Sequence, residues 1–290
     1  HDAKSNLIGL MLRRTLGLKL ITTVHGYIEN TAKLRLYRKI DHALLRRYDR
    51  VVVVSPTLYD QCLEAGISQK RMTYIPNGIE ADQYRRDQSV NQARAALNLP
   101  VNKPLIGIVG RLSPEKQIDQ LIGILPNICQ RVPLTQLVII GDGPERIALR
   151  QQIARLGLAD RVHLVGWQNP LSPWYQAMDV LALTSSTEGL PNVLLEGMAL
   201  GVPVVATTVG AVPDLLDGGR CGRLLTQDNR TWTQPIADLL TNEVTRAKLA
   251  SAGRHRVETE FSFTRRMDRM MDQYDQLMGL TSRSITRQAA

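Results

Sequence analysis

The residues of this 290-residue chain best suited to chemistry fall in one stretch, T-E-G-L-P-N-V-L-L-E-G-M-A-L-G, over residues 187–201. Pro191 sits where a helix would begin, since proline suits a first helical turn whose N–H is unpaired in any case. That places Glu188 in a loop and Glu196 more than one turn into a helix. Two carboxylates flanking a helix start can hold hydroxyls at separate ends of one ligand. Between them lie Gly189, Leu190, Pro191, Asn192 and Val193, a helix-start segment whose backbone amides, proline's aside, would face an anion. A ligand with sugar, phosphate and ribose laid out in order would match. An acidic loop followed by an exposed helix glutamate is the alternative that spacing leaves open.

A second cluster is G-R-L-S-P-E-K, Gly110 to Lys116, directly after an apolar run. With Ser113 and Pro114 forming a helix cap and first turn, Arg111 and Lys116 are free to reach the mouth of a site. A guanidinium fork plus an ammonium is what a departing diphosphate requires, because negative charge grows on it as its bond breaks. A solvated Arg and Lys near a helix start is the plainer reading. Gly141, Gly143 and Pro144 lack the third glycine of a dinucleotide fingerprint, and a strand-to-helix turn explains them. Val165-Gly166-Trp167 could present backbone amides to a base, with Trp167 as a packing residue the simpler expectation. His25 follows the run L-I-T-T-V and precedes Gly26, at the strand end where open α/β sheets bind ligands, or serves as a structural hydrogen-bonding residue.

These residues need a scaffold, and the apolar pattern supplies one. Short runs at 105–109, 137–140, 162–165, 180–183, 203–206 and 222–225 alternate with helix candidates beginning near Pro114, Glu145, Ser172, Pro191 and Val212. Such alternation predicts a parallel sheet covered on both faces, an α/β doubly wound domain. The first part repeats the grammar in shorter form: strands at 20–24, 51–54 and 72–75, helices near 3–16, 32–48 and 56–65. Three strands are few for an open doubly wound domain, so this domain reads as lacking its opening strands. Residues 76–103 read as a connection between domains. Residues 261–278 read as a helix with Met267, Met270, Met271, Tyr274 and Met278 available for one face.

Composition narrows the function classes. Hydrophobic residues at 43% and charged residues at 22% describe a globular chain, not a disordered one. Cys62, Cys129 and Cys221 are far apart, odd in number and without metal-ligand spacing, which argues against a disulfide scaffold or structural zinc and fits a reducing cytoplasm. No apolar run reaches the roughly 18 residues that span a bilayer. The net charge is +9, of which residues 1–50 supply +7. A basic face attracts nucleic acid, an anionic membrane or phosphorylated substrates, or is simply solvated. Nucleic acid is the weakest of these, since no recognised nucleic-acid-binding motif accompanies the charge.

Taken in order, the motifs resemble family 4 glycosyltransferases. E-x7-E followed by G-M-A-L-G-V-P-V-V-A is similar to that family's donor-site signature. V-V-V-V-S-P, Y-I-P-N-G-I-E, G-R-L-S-P-E-K, V-I-I-G-D-G-P-E-R, V-G-W and the final F-S-F helix resemble its remaining segments in sequence order. The resemblance implies the GT-B fold: two Rossmann-like doubly wound domains facing a cleft. They would comprise a partial N-terminal acceptor-side domain over 1–80, a nucleotide-sugar-binding domain over 81–260, and a crossover helix and tail over 261–290. It implies a retaining transfer from a nucleotide-diphosphate sugar, UDP-sugar being the commonest, to a carbohydrate or lipid-linked acceptor in cell-surface polysaccharide or glycolipid synthesis. No metal or other cofactor is implied, and the sequence contains no Asp-x-Asp. By the same resemblance Arg111 and Lys116 contact the donor diphosphate and Gly110 and Gly166 line the nucleotide side. Glu196 binds ribose, Glu188 holds the donor sugar, and His25 lies close to that sugar. The location implied is cytoplasmic, or peripheral on the inner face of the membrane.

Two features depart from the family pattern. Gly210, Ala211 and Asp214 stand where many relatives have Gly-Gly and a Glu. The Gly-rich loop after the family's first strand has no counterpart, and His1-Asp2-Ala-Lys-Ser-Asn resembles an internal segment near the acceptor side. The chain therefore reads as truncated at its N-terminus, binding donor but turning over poorly. A nucleotide-sugar epimerase, a phosphorylase and a non-catalytic nucleotide-sugar-binding subunit are the rival functions.

Overall fold

The structure, a computed structural model, describes residues 3–27 and 32–280. His1 and Asp2 lie outside them. The chain divides into two compact units, His1–Gly78 with Phe263–Ala290, and Ile79–Ser262.

The first unit contains α1 (Ala3–Leu16), β1 (Ile21–Val24), α2 (Ala32–Leu45), β2 (Arg50–Val53), α3 (Pro56–Glu64) and β3 (Met72–Tyr74). Its three strands are parallel in the order β1-β2-β3, with Thr23 opposite Val52 and Val52 opposite Thr73. The middle strand carries the valine run because both its faces are covered, and Val51, Val52 and Val53 are wholly buried. Ser55 then turns the chain: its hydroxyl accepts from the Leu58 amide and Pro56 occupies the first turn of α3.

The second unit contains α4 (Val90–Ala96), β4 (Leu105–Val109), α5 (Ile118–Arg131), β5 (Gln136–Ile140), α6 (Arg146–Arg155), β6 (Val162–Gly166) and α7 (Ser172–Ala177). It continues through β7 (Val180–Leu183), α8 (Asn192–Ala199), β8 (Val204–Thr207), α9 (Val212–Leu215), β9 (Arg223–Leu225), α10 (Thr233–Thr241) and α11 (Glu243–Glu260). All six strands are parallel, in the order β6-β5-β4-β7-β8-β9. Renumbered from β4, this is the 3-2-1-4-5-6 order of a dinucleotide-binding Rossmann fold. The core beneath it is aliphatic, with Leu121, Ile122, Leu125 and Ile128 of α5 packed against Leu137 and Ile139 of β5 and closed by Trp232 and Ile236. The last helix, α12 (Phe263–Met278), belongs to the first unit.

The structure corrects four local expectations. Residues 76–103 are more than a connection: α4 begins at a Ser89–Gln92 capping box, and its Arg94 pairs with Asp179 at 2.7 Å. No α-helix starts at Pro114. Pro114–Lys116 is a single 3-10 turn, Gln117 adopts a left-handed conformation with φ +50°, and α5 starts at Ile118. Ser113 caps nothing there, because its hydroxyl donates to the Glu115 carboxylate at 2.6 Å. On α12 the apolar stripe is not the packed face. Met267, Met271, Tyr274 and Met278 are exposed, while Gln273 and Asp275 are buried and Gln273 accepts from the Thr73 hydroxyl of β3.

Candidate functional site

In the six-stranded sheet the chain leaves β4 toward β5 on one side and later crosses to β7 on the other. The loops after β4 and β7 therefore part company at a topological switch point, where ligands bind outside the carboxyl ends of the strands. The first of these loops carries Gly110, Arg111 and Lys116, and the second carries Glu188. Residues 72 positions apart are thus brought together. Lys116 Nζ lies 2.6 Å from Glu188 Oε1, and the same oxygen accepts from the Ser185 hydroxyl at 2.7 Å. Backbone contacts fix the pair: the Lys116 carbonyl accepts from the Thr184 hydroxyl at 2.8 Å, and the Glu115 carbonyl from the Ser186 amide at 2.8 Å.

Arg111 is exposed and, among the described residues, makes no ion pair or side-chain hydrogen bond. Its backbone is nonetheless rigidly seated. The Leu112 amide donates to the Asp142 carbonyl at 3.0 Å, and the Leu112 carbonyl accepts from the Glu145 amide at 2.9 Å. This close approach explains the two glycines better than a generic turn does. A Cβ on Gly141 would fall 1.9 Å from the Gly110 carbonyl oxygen, and one on Gly143 would fall 2.3 Å from that of Leu112. The glycines therefore let the Arg111 loop settle onto the turn after β5. Gly166 ends β6 with φ +78° and packs beside Arg146. Trp167 is 72% exposed, so it is not the packing residue expected; it follows the left-handed Gly166, which turns it out of the sheet.

Glu196 is half-buried on α8, and the exposed-glutamate alternative does not hold. The hydroxyl of Tyr175, a fully buried residue of α7, donates to Glu196 Oε2 at 2.7 Å. Burial raises the Glu196 carboxyl above its ordinary value, and the Tyr175 hydrogen bond partly offsets that rise. Pro191 stands just outside α8, whose first residue is Asn192. Gly189, Leu190 and Pro191 are buried, Val193 is half-buried and Asn192 exposed. The loop that carries Glu188 rests on Gly210. There φ is +53°, and a Cβ would lie 2.1 Å from the Glu188 carbonyl oxygen. The Ala211 amide donates to the Gly189 carbonyl at 2.8 Å. Asp214 approaches Arg256 at 3.5 Å.

His25 follows β1 and lies in the first unit, whereas every other predicted site residue lies in the second. Partial burial and the nearby Arg266 guanidinium lower its pKa. Sequence reasoning missed Tyr175, Thr184 and Ser185. Thr184 and Ser185 follow β7 directly, and hydroxyl residues in a loop next to a candidate carboxylate were the available signal. Tyr175 lies 21 residues before Glu196, and no local pattern links the two.

Residues 103–242 match the family described as glycosyl transferases group 1, and residues 1–83 the one described as glycosyltransferase family 4. The chain is a family 4 glycosyltransferase. It is 29% identical, over 86% of its length and 68% of the relative's, to a GDP-mannose-dependent alpha-(1-6)-phosphatidylinositol monomannoside mannosyltransferase of Mycolicibacterium smegmatis. It is also 29% identical, over 94% of this chain and 77% of the relative, to a lipopolysaccharide core biosynthesis mannosyltransferase of Rhizobium meliloti. Among solved structures, sucrose-phosphate synthase from Thermosynechococcus elongatus superposes with a TM-score of 0.84 at 26% identity, over 96% of this chain and 72% of that one. The Anabaena protein HepE in complex with UDP-glucose gives 0.85 at 24%, over 94% and 77%. The transferase has the GT-B fold, built from Rossmann-like units. Among its described residues no helix is long and apolar enough to cross a membrane.

Proposed function

We propose that this transferase moves a sugar from a nucleoside diphosphate sugar to a carbohydrate or lipid-linked acceptor with retention of configuration, in the synthesis of a cell-surface polysaccharide or glycolipid. The observation that carries the reading is the meeting of Lys116 and Glu188 at the switch point, beside the loop of Arg111 and the helix of Glu196. In this reading Arg111 and Lys116 take up the charge that develops on the leaving diphosphate. Glu196 accepts hydrogen bonds from the ribose hydroxyls, with Tyr175 fixing its free rotation. Glu188 orients the donor sugar and, through Lys116, the phosphate next to it. The acceptor oxygen bonds to the anomeric carbon as the bond to the diphosphate oxygen breaks, and its proton passes to a donor phosphate oxygen. No bound metal enters the proposal.

The donor is a UDP-sugar or GDP-mannose; the latter is the donor named for the mycobacterial relative. The transfer takes place in the cytoplasm or on the inner face of its membrane. A membrane role is supported by the first unit, where α1 exposes Leu7, Ile8, Met11 and Leu12 and α2 exposes Leu36 and Ile40. Arg13, Arg14, Lys33, Arg35, Arg38 and Lys39 stand on the same two helices, and Arg46 and Arg47 just after the second. The deciding experiment is incubation with radiolabelled UDP-glucose, UDP-N-acetylglucosamine or GDP-mannose, with and without cell-envelope extract, followed by NMR of the product's anomeric centre. Acceptor-dependent label with retained configuration supports the proposal. Free nucleotide released without acceptor points to an epimerase, and a requirement for inorganic phosphate points to a phosphorylase.

A further inference from the structure

The loop that carries Glu188 rests on the turn at Gly210 and Ala211, and that turn opens the four-residue helix α9. A helix so short cannot hold itself. Nucleation fixes several dihedrals for each hydrogen bond gained, and the last carbonyls have no partner within the helix. Along α9 the Leu215 and Leu216 amides donate to the Ala211 and Val212 carbonyls at 2.8 and 2.9 Å. Its carboxyl end is closed from outside by Arg256, a half-buried residue of α11. Arg256 Nη2 donates to the Asp214 carbonyl at 2.9 Å and Nε to the Leu215 carbonyl at 3.3 Å. The Asp214 carboxylate stands 3.5 Å from the same Nη2. The guanidinium carbon lies 5.6 Å from the centroid of the Phe261 ring, which is 3% exposed. Phe261 is fixed in turn, since its carbonyl accepts from the Ile79 amide at 2.9 Å.

A cation at the carboxyl end of a helix is favoured by the helix dipole and by charge-assisted hydrogen bonds to the carbonyls. A guanidinium adds direction, because its planar fork reaches two successive carbonyls in one fixed geometry, and the Phe261 ring seats that fork. From there to Glu188 the path is one of direct contacts. Arg256 holds Asp214 and Leu215, and α9 carries Ala211 at its start. The Ala211 amide donates to the Gly189 carbonyl at 2.8 Å, and Gly210 leaves no room for a Cβ against the Glu188 carbonyl. A tilt of α9 therefore moves the Glu188 loop. Apolar packing fixes the place of α9, since Val212 and Leu215 are wholly buried, and the polar contacts at its ends fix its tilt.

We propose that Arg256 is a positioning residue for Glu188: by holding the carboxyl end of α9 it steadies the turn from which the Glu188 carboxylate is aimed at the donor sugar. The part played toward the sugar rests on the transferase reading above; the hold on the loop does not. The full chain is compared as wild type, Arg256→Gln, Arg256→Lys, Glu188→Gln and the double variant Arg256→Gln with Glu188→Gln. Amide hydrogen exchange is read over residues 184–191 and 208–216, with β5 as the control for global unfolding. Calorimetric titration gives the affinity for UDP and UDP-glucose, and for GDP and GDP-mannose.

The expected result is exchange about tenfold faster in both loops of Arg256→Gln and unchanged in β5. Nucleotide-sugar affinity falls about tenfold, while free-nucleotide affinity is equal or tighter, because a loosened Glu188 releases Lys116. In the Glu188→Gln background the same substitution changes nucleotide-sugar affinity by less than about twofold, since a residue that acts through Glu188 has nothing left to act on. Arg256→Lys keeps the charge but not the fork and shows the same pattern to a smaller degree, which keeps the test open if Arg256→Gln does not fold. Unchanged exchange over 184–191, equal losses of nucleotide and nucleotide sugar, or losses that add in the double variant overturn the proposal and leave Arg256 a cap of α9 alone. If wild type binds neither nucleotides nor nucleotide sugars, the donor-site reading falls and the exchange rates by themselves decide the hold on the loop.

Discussion

At the scale of single residues, Glu196 and Lys116 make the sharpest commitments. Glu196→Ala is expected to weaken nucleoside diphosphate and nucleotide sugar alike by about 1.5–3 kcal/mol, the range for hydrogen bonds to a charged group. Tyr175→Phe removes the hydroxyl that holds Glu196 Oε2 and is expected to act in the same direction by a smaller amount. Calorimetric titration of both variants measures these losses; an unchanged affinity in Glu196→Ala removes the ribose assignment. Because burial raises the Glu196 pKa above 4.5, nucleotide affinity should fall on acidification at a higher pH than an ordinary carboxylate would give. The stability linkage has the opposite sense. The folded state holds this proton more tightly than the unfolded one, so Glu196 costs stability as pH rises through the window from 4.5 to its raised value. Glu196→Gln should flatten that part of the urea-unfolding profile. Glu188 is expected to behave differently: it is paired with Lys116 at 2.6 Å, so in the proposed site it would compete with an incoming diphosphate for that ammonium. Lys116→Ala should weaken free nucleotide by about 1.5–3 kcal/mol, whereas Glu188→Gln should leave it equal or tighter and yet impair transfer. Loss of free-nucleotide affinity in Glu188→Gln would contradict the competition.

At the scale of elements, the site depends on loops that approach more closely than side chains permit. Gly210→Ala sets a Cβ 2.1 Å from the Glu188 carbonyl oxygen in a left-handed backbone. The conformational cost alone is about 1–2 kcal/mol, and overpacking adds about 1–3. Thermal unfolding should register that loss, and nucleotide-sugar affinity should fall with it as the Glu188 loop shifts. Retention of both wild-type stability and affinity would show that the close approach is dispensable. These contacts mark the limit of what the sequence makes legible. The runs around Leu105, Leu137, Val162, Val180 and Val204 each produce a strand, because four or five apolar residues bounded by turn signals have few other uses. Glu188 and Glu196 are legible for a similar reason, since their spacing across Pro191 is local. The glycines at 141 and 143 are visible as residues, but not as the seat of the Arg111 loop, since that contact joins chain about 30 residues apart. Helix α11 goes unnoticed because only Leu249, Gly253 and Val257 are buried along it, and a stripe that narrow gives little periodic signal. The stripe of α12 is periodic and still misleads. Its buried face is polar because Gln273 and Arg266 hydrogen-bond to the Thr73 and Asn77 side chains.

At the scale of the whole molecule, charge is unevenly placed. The first 50 residues carry +7 of the net +9, and their helices expose Leu7, Ile8, Met11, Leu36 and Ile40. Anionic vesicles should therefore bind the chain at low salt and release it as salt rises, at about 1 kcal/mol per basic residue near the surface. Co-sedimentation with phosphatidylserine vesicles measures this, and no binding at low salt would leave the charge as a solvated face. The proposed nucleoside diphosphate site at the switch point of the six-stranded unit is assembled by Arg111, Lys116 and Glu196. Its most direct test is isothermal titration of UDP and GDP into wild type, Arg111→Ala, Lys116→Ala and Glu196→Ala. At least one nucleotide is expected to bind wild type, and each substitution to weaken it by about 1.5–3 kcal/mol, roughly ten- to a hundredfold. A wild-type chain that binds neither nucleotide, or variants that bind as tightly as wild type, would contradict the account.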